Sequence, residues 1–405
     1  MLANQAKAGN AGAKVPRVCP SCARPALEPF YSTYGVPVHS AIVLPTRAEA
    51  RQVPRGDIEL GFCTGCGFIS NMAYDATLQD YSRNYEDQQG FSPTFAAFAR
   101  DLAERLIHTY GMRNKTIVEI GCGKGDFLAL LCELGPNRGV GIDPAAVSER
   151  IPAHLAGRIE LVREFYSEQH AGYQPALICC RHTLEHIPDT AAFLGIVRRA
   201  IGHHQKPVVF FEVPDVIRIL REQAFWDIYY EHCSYFSPGA MARLFRSAGF
   251  DVVRLARAYA DQYLLLDAYP VQKVSPVVHD LEEPPEAVVA EARLFADRVS
   301  GRLEEWRAFI AARERDGSRV VIWGGGSKCV AFLTAVAAED LVEYVVDINP
   351  HLHGKFLPAS GLEIVPPSVL RTYQPEWVVV MNPIYKAEIE HTLQEMGVRA
   401  QVVAL

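Results

Sequence analysis

The stretch Ile117-Val118-Glu119-Ile120-Gly121-Cys122-Gly123-Lys124-Gly125-Asp126 decides how this chain is read. Apolar, mostly β-branched residues end in a glycine turn, and an apolar run from Phe127 to Leu134 follows at helical spacing. The segment therefore reads as strand, tight loop and helix. Glycines at 121, 123 and 125 permit a sharp turn and let the backbone approach a ligand where a Cβ would collide. The helix start beyond them offers unpaired N–H groups. Gly139-Val140-Gly141-Ile142-Asp143 then reads as a second strand ending in a carboxylate, 24 residues beyond Glu119. An acid at that place accepts the two hydroxyls of a ribose.

A GxGxG loop is shared by dinucleotide sites and by purely structural turns. Two features separate this one: Glu119 stands two places before the first glycine, and Lys124-Gly125-Asp126 departs from GxGxxG. The run Val118-Glu119-Ile120-Gly121-Cys122-Gly123-Lys124-Gly125 resembles motif I of class I S-adenosylmethionine (SAM) methyltransferases. The resemblance implies SAM, in preference to a nicotinamide or flavin, held by Glu119, Gly121, Gly123, Gly125 and Asp143.

Length and composition bound the rest. At 405 residues the chain exceeds one ordinary core, so two or three domains are expected. A net charge of −7 without a basic block gives no footprint for nucleic acid. No apolar run reaches the ~18 residues of a membrane span. Residues 1–16 lack an apolar segment and read as a disordered tail, with no signal peptide. Of the ten cysteines, four form two CxxC pairs and the others lie in apolar or motif contexts. That usage suits reduced thiols and a cytoplasmic location.

Cys19-Pro-Ser-Cys22 and Cys63-Thr-Gly-Cys66 are two knuckles about 40 residues apart. Each CxxC turn aims two thiolates at one point, and two turns complete a four-thiolate shell around a structural Zn2+. A redox pair would need no duplicate, and an inserted hairpin would accommodate the spacing. This gives a zinc-binding module over 17–73. In the segment that follows, Tyr74, Tyr81 and Tyr85 precede Ser92 and Pro93, which suit the cap and first turn of a helix carrying Phe95, Phe98, Leu102 and Leu106 on one face. That helix is expected over the entrance of the SAM site.

Alternation of strand and helix continues with strands at 158–162, 176–180 and 207–213. Phe165 or Tyr166 stands where such folds cover the adenine, and Arg181 and His182 stand near the sulfonium. His186 reads as orienting a helix start. The densest cluster of ionisable groups is Trp226-Asp-Ile-Tyr229-Tyr-Glu231-His232-Cys-Ser-Tyr235-Phe-Ser237, five aromatics and a Glu-His pair in twelve positions. The bland alternative is an aromatic lid. The chemical one has His232 as a base near neutral pH, oriented by Glu231, with tyrosines donating to a developing enolate oxygen. Two antiparallel strands at 249–257 and 262–266 close the domain, which runs over 74–270. A linker and helix cover 271–315. A second Rossmann-like domain covers 316–405, with the glycine loop Gly324-Gly-Gly-Ser-Lys328 and, at the end of an expected strand 341–347, Asp347. Cys329 replaces the last glycine of GxGxxG there, which leaves open a phosphate on the helix start beside Lys328 or a structural turn.

The order of parts over 17–405 resembles the three-domain sugar C-methyltransferases that act on nucleotide-linked 4-keto-deoxyhexoses. The match runs through Cys19, Cys22, Cys63 and Cys66, through Tyr229-Tyr-Glu231-His232-Cys-Ser-Tyr235, and through Gly324 to Lys328 with Asp347-Ile-Asn-Pro350. It implies an α/β class I methyltransferase domain flanked by a zinc module and a second Rossmann-like domain. It also implies that Tyr229, Glu231, His232 and Tyr85 work at a keto sugar. The chain departs at His351-Leu-His353-Gly354-Lys355 and at Asn84-Tyr-Glu-Asp-Gln-Gln89, so the acceptor need not be the usual deoxyhexose. Methylation at oxygen or nitrogen is the alternative reaction, and a non-catalytic scaffold the alternative class.

Overall fold

The computed structural model describes residues 17–79, 85, 86, 88–202, 205–338 and 341–405. The tail expected at 1–16, and Tyr81, Asn84 and Asp87 of the lead-in segment, lie outside the described residues.

The two cysteine knuckles are joined by an antiparallel hairpin of β1 (Leu27–Pro37) and β2 (Arg55–Cys63), in register from Leu27 opposite Cys63 to Pro37 opposite Arg55. A hairpin is what would accommodate the long spacing between the knuckles. A short β3 (Ile69–Asn71) continues the sheet.

The middle domain contributes β4 (Thr116–Ile120), β5 (Arg138–Ile142), β6 (Ile159–Val162), β7 (Leu177–Arg181), β8 (Val208–Pro214), β9 (Ser234–Tyr235), β10 (Phe250–Ala258) and β11 (Tyr263–Pro270). Seven of these form one sheet in the order β10-β11-β8-β7-β4-β5-β6. Strands β6 to β8 run parallel through β4, while the β10–β11 hairpin enters antiparallel to β8. That order is the class I methyltransferase arrangement. Strand β9 belongs elsewhere: it pairs with β3, so a segment of the middle domain completes the N-terminal sheet.

The helix Pro93–Tyr110 begins as its sequence requires. Ser92 Oγ accepts from Phe95 N at 3.4 Å, Pro93 occupies the first turn, and Gly111 closes the helix with φ +64°. Its Leu102, Leu106 and Ile107 pack with Phe127, Leu128 and Leu131 of the helix Asp126–Leu134 on one face of the sheet.

In the C-terminal domain, β12 (Val320–Trp323), β13 (Tyr344–Val346), β14 (Glu363–Val365), β15 (Trp377–Val380) and β16 (Gln401–Ala404) form an all-parallel sheet ordered β14-β13-β12-β15-β16. The strand expected over 341–347 is shorter, because Leu341 closes a turn onto Ala338 O and only Tyr344–Val346 join the ladder. The 31-residue helix Pro285–Arg315 joins the domains. It buries Val288, Ala292, Phe295, Val299, Trp306 and Ile310, spaced by three, four or seven as one helical face requires. Phe295 meets Phe30 and Tyr31 of β1 at 6.2 and 5.3 Å between ring centroids, and Trp306 meets Phe332 at 5.3 Å. One apolar cluster thereby runs from the N-terminal sheet to the C-terminal domain. Among the described residues no helix is long and apolar enough to cross a membrane.

Candidate active site

The parallel strands of both sheets turn their carboxyl ends to one cleft of about 1160 Å³. This is where open α/β sheets hold ligands. Gly121 to Lys124 after β4, Asp143 after β5, Arg181 to Thr183 and Glu185 to Ile187 after β7, Gly324 and Gly326 to Lys328 after β12, and Asp347 after β13 line it.

Two glycines show why the loop after β4 admits nothing larger. Gly121 has φ +68°, and a Cβ there would stand 2.0 Å from Thr183 Oγ1. Gly123 has φ +53° and open space where its Cβ would be. Its N–H donates to Asp143 Oδ2 at 2.9 Å, while Ala145 N donates to Oδ1 at 2.7 Å. Asp143 is thus fixed at the end of β5 with acceptor capacity left over. Glu119 lies beneath the loop, 3% exposed, and burial pushes its carboxyl up to about 8. The loop after β12 repeats the device: Gly325 N donates to Asp347 Oδ2 at 2.6 Å and Asn349 N to Oδ1 at 2.8 Å. Phe165 stands at the rim of the cleft, largely exposed, and Tyr166 stacks on His170 at 5.5 Å.

Arg181, at the end of β7, commits its guanidinium to Glu212 of β8, with Nε and NH2 donating at 2.7 and 3.3 Å. It also caps the Phe127 ring at 4.0 Å. His182 follows with φ +47° and places Nε2 3.0 Å from the same carboxylate. Burial would push Glu212 up, but the Arg181 and His182 charges hold it down at about 2. Burial opposes a charge on His182 too, yet Glu212 and Glu185 lift it to about 9. The sequence reading singled out neither Glu212 nor Glu185. A carboxylate inside Val208-Val-Phe-Phe-Glu212-Val was a signal for Glu212, since a buried acid in an apolar strand needs a cation.

The aromatic loop delivers His232 and Tyr229 to the cleft wall, with ring centroids 4.1 Å apart. His186, on the turn Leu184–His186, meets His232 edge-on at 4.9 Å. Burial, and then the charges of His186, His182 and Lys328, hold the His232 imidazole well below its usual range, so it is neutral. Burial raises the Tyr229 phenol well above its own range, so it keeps its proton.

Glu231 is fully buried: Oε2 accepts from Ser40 N at 2.9 Å and from Ser40 Oγ, and Oε1 lies 3.7 Å from His39 Nδ1. Ser40 Oγ is also 2.9 Å from Ser327 Oγ. Through Ser40, Glu231 is linked to both flanking domains, while His232 lines the cleft. Lys328 likewise meets Asp227 of the aromatic loop, which also takes Arg218. Tyr85 lines the cleft, and its neighbour Glu86 bridges Arg150 NH2 at 2.7 Å and Asn349 Nδ2 at 3.1 Å. The sequence marked the segment of Glu86 only as a departure and not its partners, which lie 64 and 263 residues away.

Far from the cleft, Cys19 and Cys66 sulfurs stand 3.7 Å apart and Cys22 and Cys63 sulfurs 3.6 Å apart, all four within 4.8 Å. A tetrahedron of Zn–S bonds of ~2.3 Å has edges of about 3.8 Å. The donor set and its spacing fit that ion.

Residues 94–255 match the family described as a methyltransferase domain, and residues 272–403 match the C-methyltransferase C-terminal domain. The C-methyltransferase NovU of Streptomyces niveus is 28% identical over 309 residues, 72% of either chain. The chain is a SAM-dependent methyltransferase. The methyltransferase is also 24% identical over 165 residues to a ubiquinone biosynthesis O-methyltransferase of Cupriavidus pinatubonensis, in a match covering 36% of this chain and 64% of that one. Among solved structures, the 1,6-didemethyltoxoflavin-N1-methyltransferase of Burkholderia thailandensis is 18% identical, with a TM-score of 0.33 over 43% of the methyltransferase and 79% of that chain.

Proposed function

We propose that this enzyme methylates carbon, at the position α to a ketone of a nucleotide-linked sugar, through an enolate. One observation carries the reading: a neutral, buried His232 and a protonated Tyr229 share a wall of the cleft onto which the motif I loop opens. The match to a C-methyltransferase C-terminal domain and the similarity to NovU support it.

SAM supplies an electrophilic methyl group on a sulfonium. Gly121, Gly123 and Gly125 leave room for it, and Asp143 accepts from its ribose. Glu119 and the backbone at Arg181 form the floor, and Phe165 borders the adenine. His232 takes the proton from the α-carbon, and the electron pair moves into the enolate. Tyr229, with Tyr85 from the lead-in segment, donates to the enolate oxygen. The carbon then takes the methyl, the sulfur–carbon bond breaks to leave S-adenosylhomocysteine, and the imidazolium returns its proton to solvent. Cys19, Cys22, Cys63 and Cys66 hold a structural Zn2+ with no position left for water, so the metal stabilises the fold alone.

The test is solvent deuterium exchange. With S-adenosylhomocysteine bound, a nucleotide-linked keto sugar should gain deuterium at its α-carbon, and with SAM it should gain a methyl there. Methyl transfer to a hydroxyl or amine without exchange would move the acceptor to oxygen or nitrogen. Failure of the enzyme to bind SAM would sink both.

A further inference from the structure

A second cluster of metal-ligating side chains lies at the cleft itself. Glu185, His186 and His232 each offer a ligand atom, all within 4.8 Å of one another, and all three line the cleft. Glu185 is 2% exposed, yet neither of its carboxylate oxygens accepts a hydrogen bond among the described residues. Its cationic neighbour, His182 Nδ1, is 3.6 Å from Oε1, outside hydrogen-bond range. His182 neutralises its charge from that distance, and the carboxylate keeps lone pairs toward the cavity that a further ligand could take.

The backbone holds the three groups together. Glu185 and His186 sit on one turn, Leu184–His186. The segment after His232 is tied to that turn twice, by Ser234 Oγ donating to Ile187 O at 2.7 Å and by Cys233 Sγ against Glu185 O at 3.6 Å. Ligand atoms sharing an ion stand roughly 3–4 Å apart, a separation that small side-chain rotations can reach from here. Two imidazoles and one carboxylate suit zinc, cobalt or a similar first-row ion and do not suit magnesium or calcium, which take oxygen shells.

We propose that Glu185, His186 and His232 form a binding site for one divalent transition-metal ion at the acceptor end of the cleft, separate from the four cysteines. An imidazole bound to the ion has no lone pair for a proton, so methyl transfer falls as this site fills. The binding stands by itself; the inhibition rests on His232 being the base.

The experiment uses the full chain purified with zinc, titrated with cobalt(II) by calorimetry and visible absorption. One further equivalent should bind, with the weak bands of nitrogen and oxygen ligation and without the intense sulfur charge-transfer band. Glu185→Gln and His186→Asn should each weaken it at least tenfold while SAM binding is kept. No further equivalent, or binding unchanged in both variants, overturns the site. Methyl transfer should decline in step with occupancy. Full activity at full occupancy would leave the metal site standing and remove His232 as the base.

Discussion

His232 and Glu231 are neighbours in sequence with opposite fates: one is a neutral imidazole on the cleft wall, the other a buried carboxylate holding Ser40. Replacing His232 by Asn should leave SAM affinity in place and lower turnover by ~10²–10⁴ if it takes the proton. A loss of less than tenfold, read by steady-state kinetics, would make it a positioning residue. Asp143→Ala should weaken SAM binding at least tenfold by calorimetry with the fold retained, because it removes the acceptor at the end of β5 and the tie to Gly123. Unchanged affinity would take Asp143 out of the ribose site. The places of the glycines after β4 and of Asp143 after β5 were legible because they follow from local backbone needs. The direction of Glu231 was not, since its partner Ser40 is 191 residues away and adjacency on a loop says nothing about where two side chains point.

Strands β7 and β8 carry a charged cluster between them. Glu212 is held at about 2 against an ordinary 4.5, so the stability it contributes is present above pH 4.5 and lost as pH falls toward 2. His182 is lifted from 6.5 to about 9, so its contribution is complete below pH 6.5 and lost as pH rises through 9. Glu119, pushed up from 4.5 to about 8, adds a loss of stability as pH rises from 4.5 through 8. Thermal melting should therefore be highest near pH 4.5 and decline on the alkaline side, first through 8 with Glu119 and then through 9 with His182. His182→Asn should lower the melting temperature below pH 6.5, by on the order of 3 °C per ~1 kcal/mol in a domain of this size, and flatten the decline between pH 6.5 and 9. A wild-type melting temperature constant up to pH 9.5 would show that His182 is not charged. The main strands were readable because apolar runs between glycine and proline breaks mark buried parallel strands. Three-residue β13 and β14 carry too few residues for a period, and the neighbours they pair with are set by the fold.

At the scale of the molecule, the middle and C-terminal units are bound by side chains from each. The amide groups of Gln262 and Asn382 exchange hydrogen bonds at 3.0 and 2.9 Å, Glu388 accepts from Ser92 and Thr94, and Tyr259 meets Tyr385 at 2.6 Å between hydroxyl oxygens. This mutual clasp was not legible in the sequence, since each contact joins residues at least 120 positions apart. Cys63→Ser should release zinc, measured by metal analysis, and lower solubility; stable zinc-free protein would overturn the four-cysteine assignment. Strand β9 gives that experiment a wider reach. Ser234 and Tyr235 begin two residues after His232 and are stitched to β3, which β2 ties to the cysteine knuckle. Stripping the metal would slacken that stitch and let His232 drift from its place. A chelator would then look like a poison of the reaction centre, and the protein would pass in an assay for an enzyme that spends its zinc on chemistry.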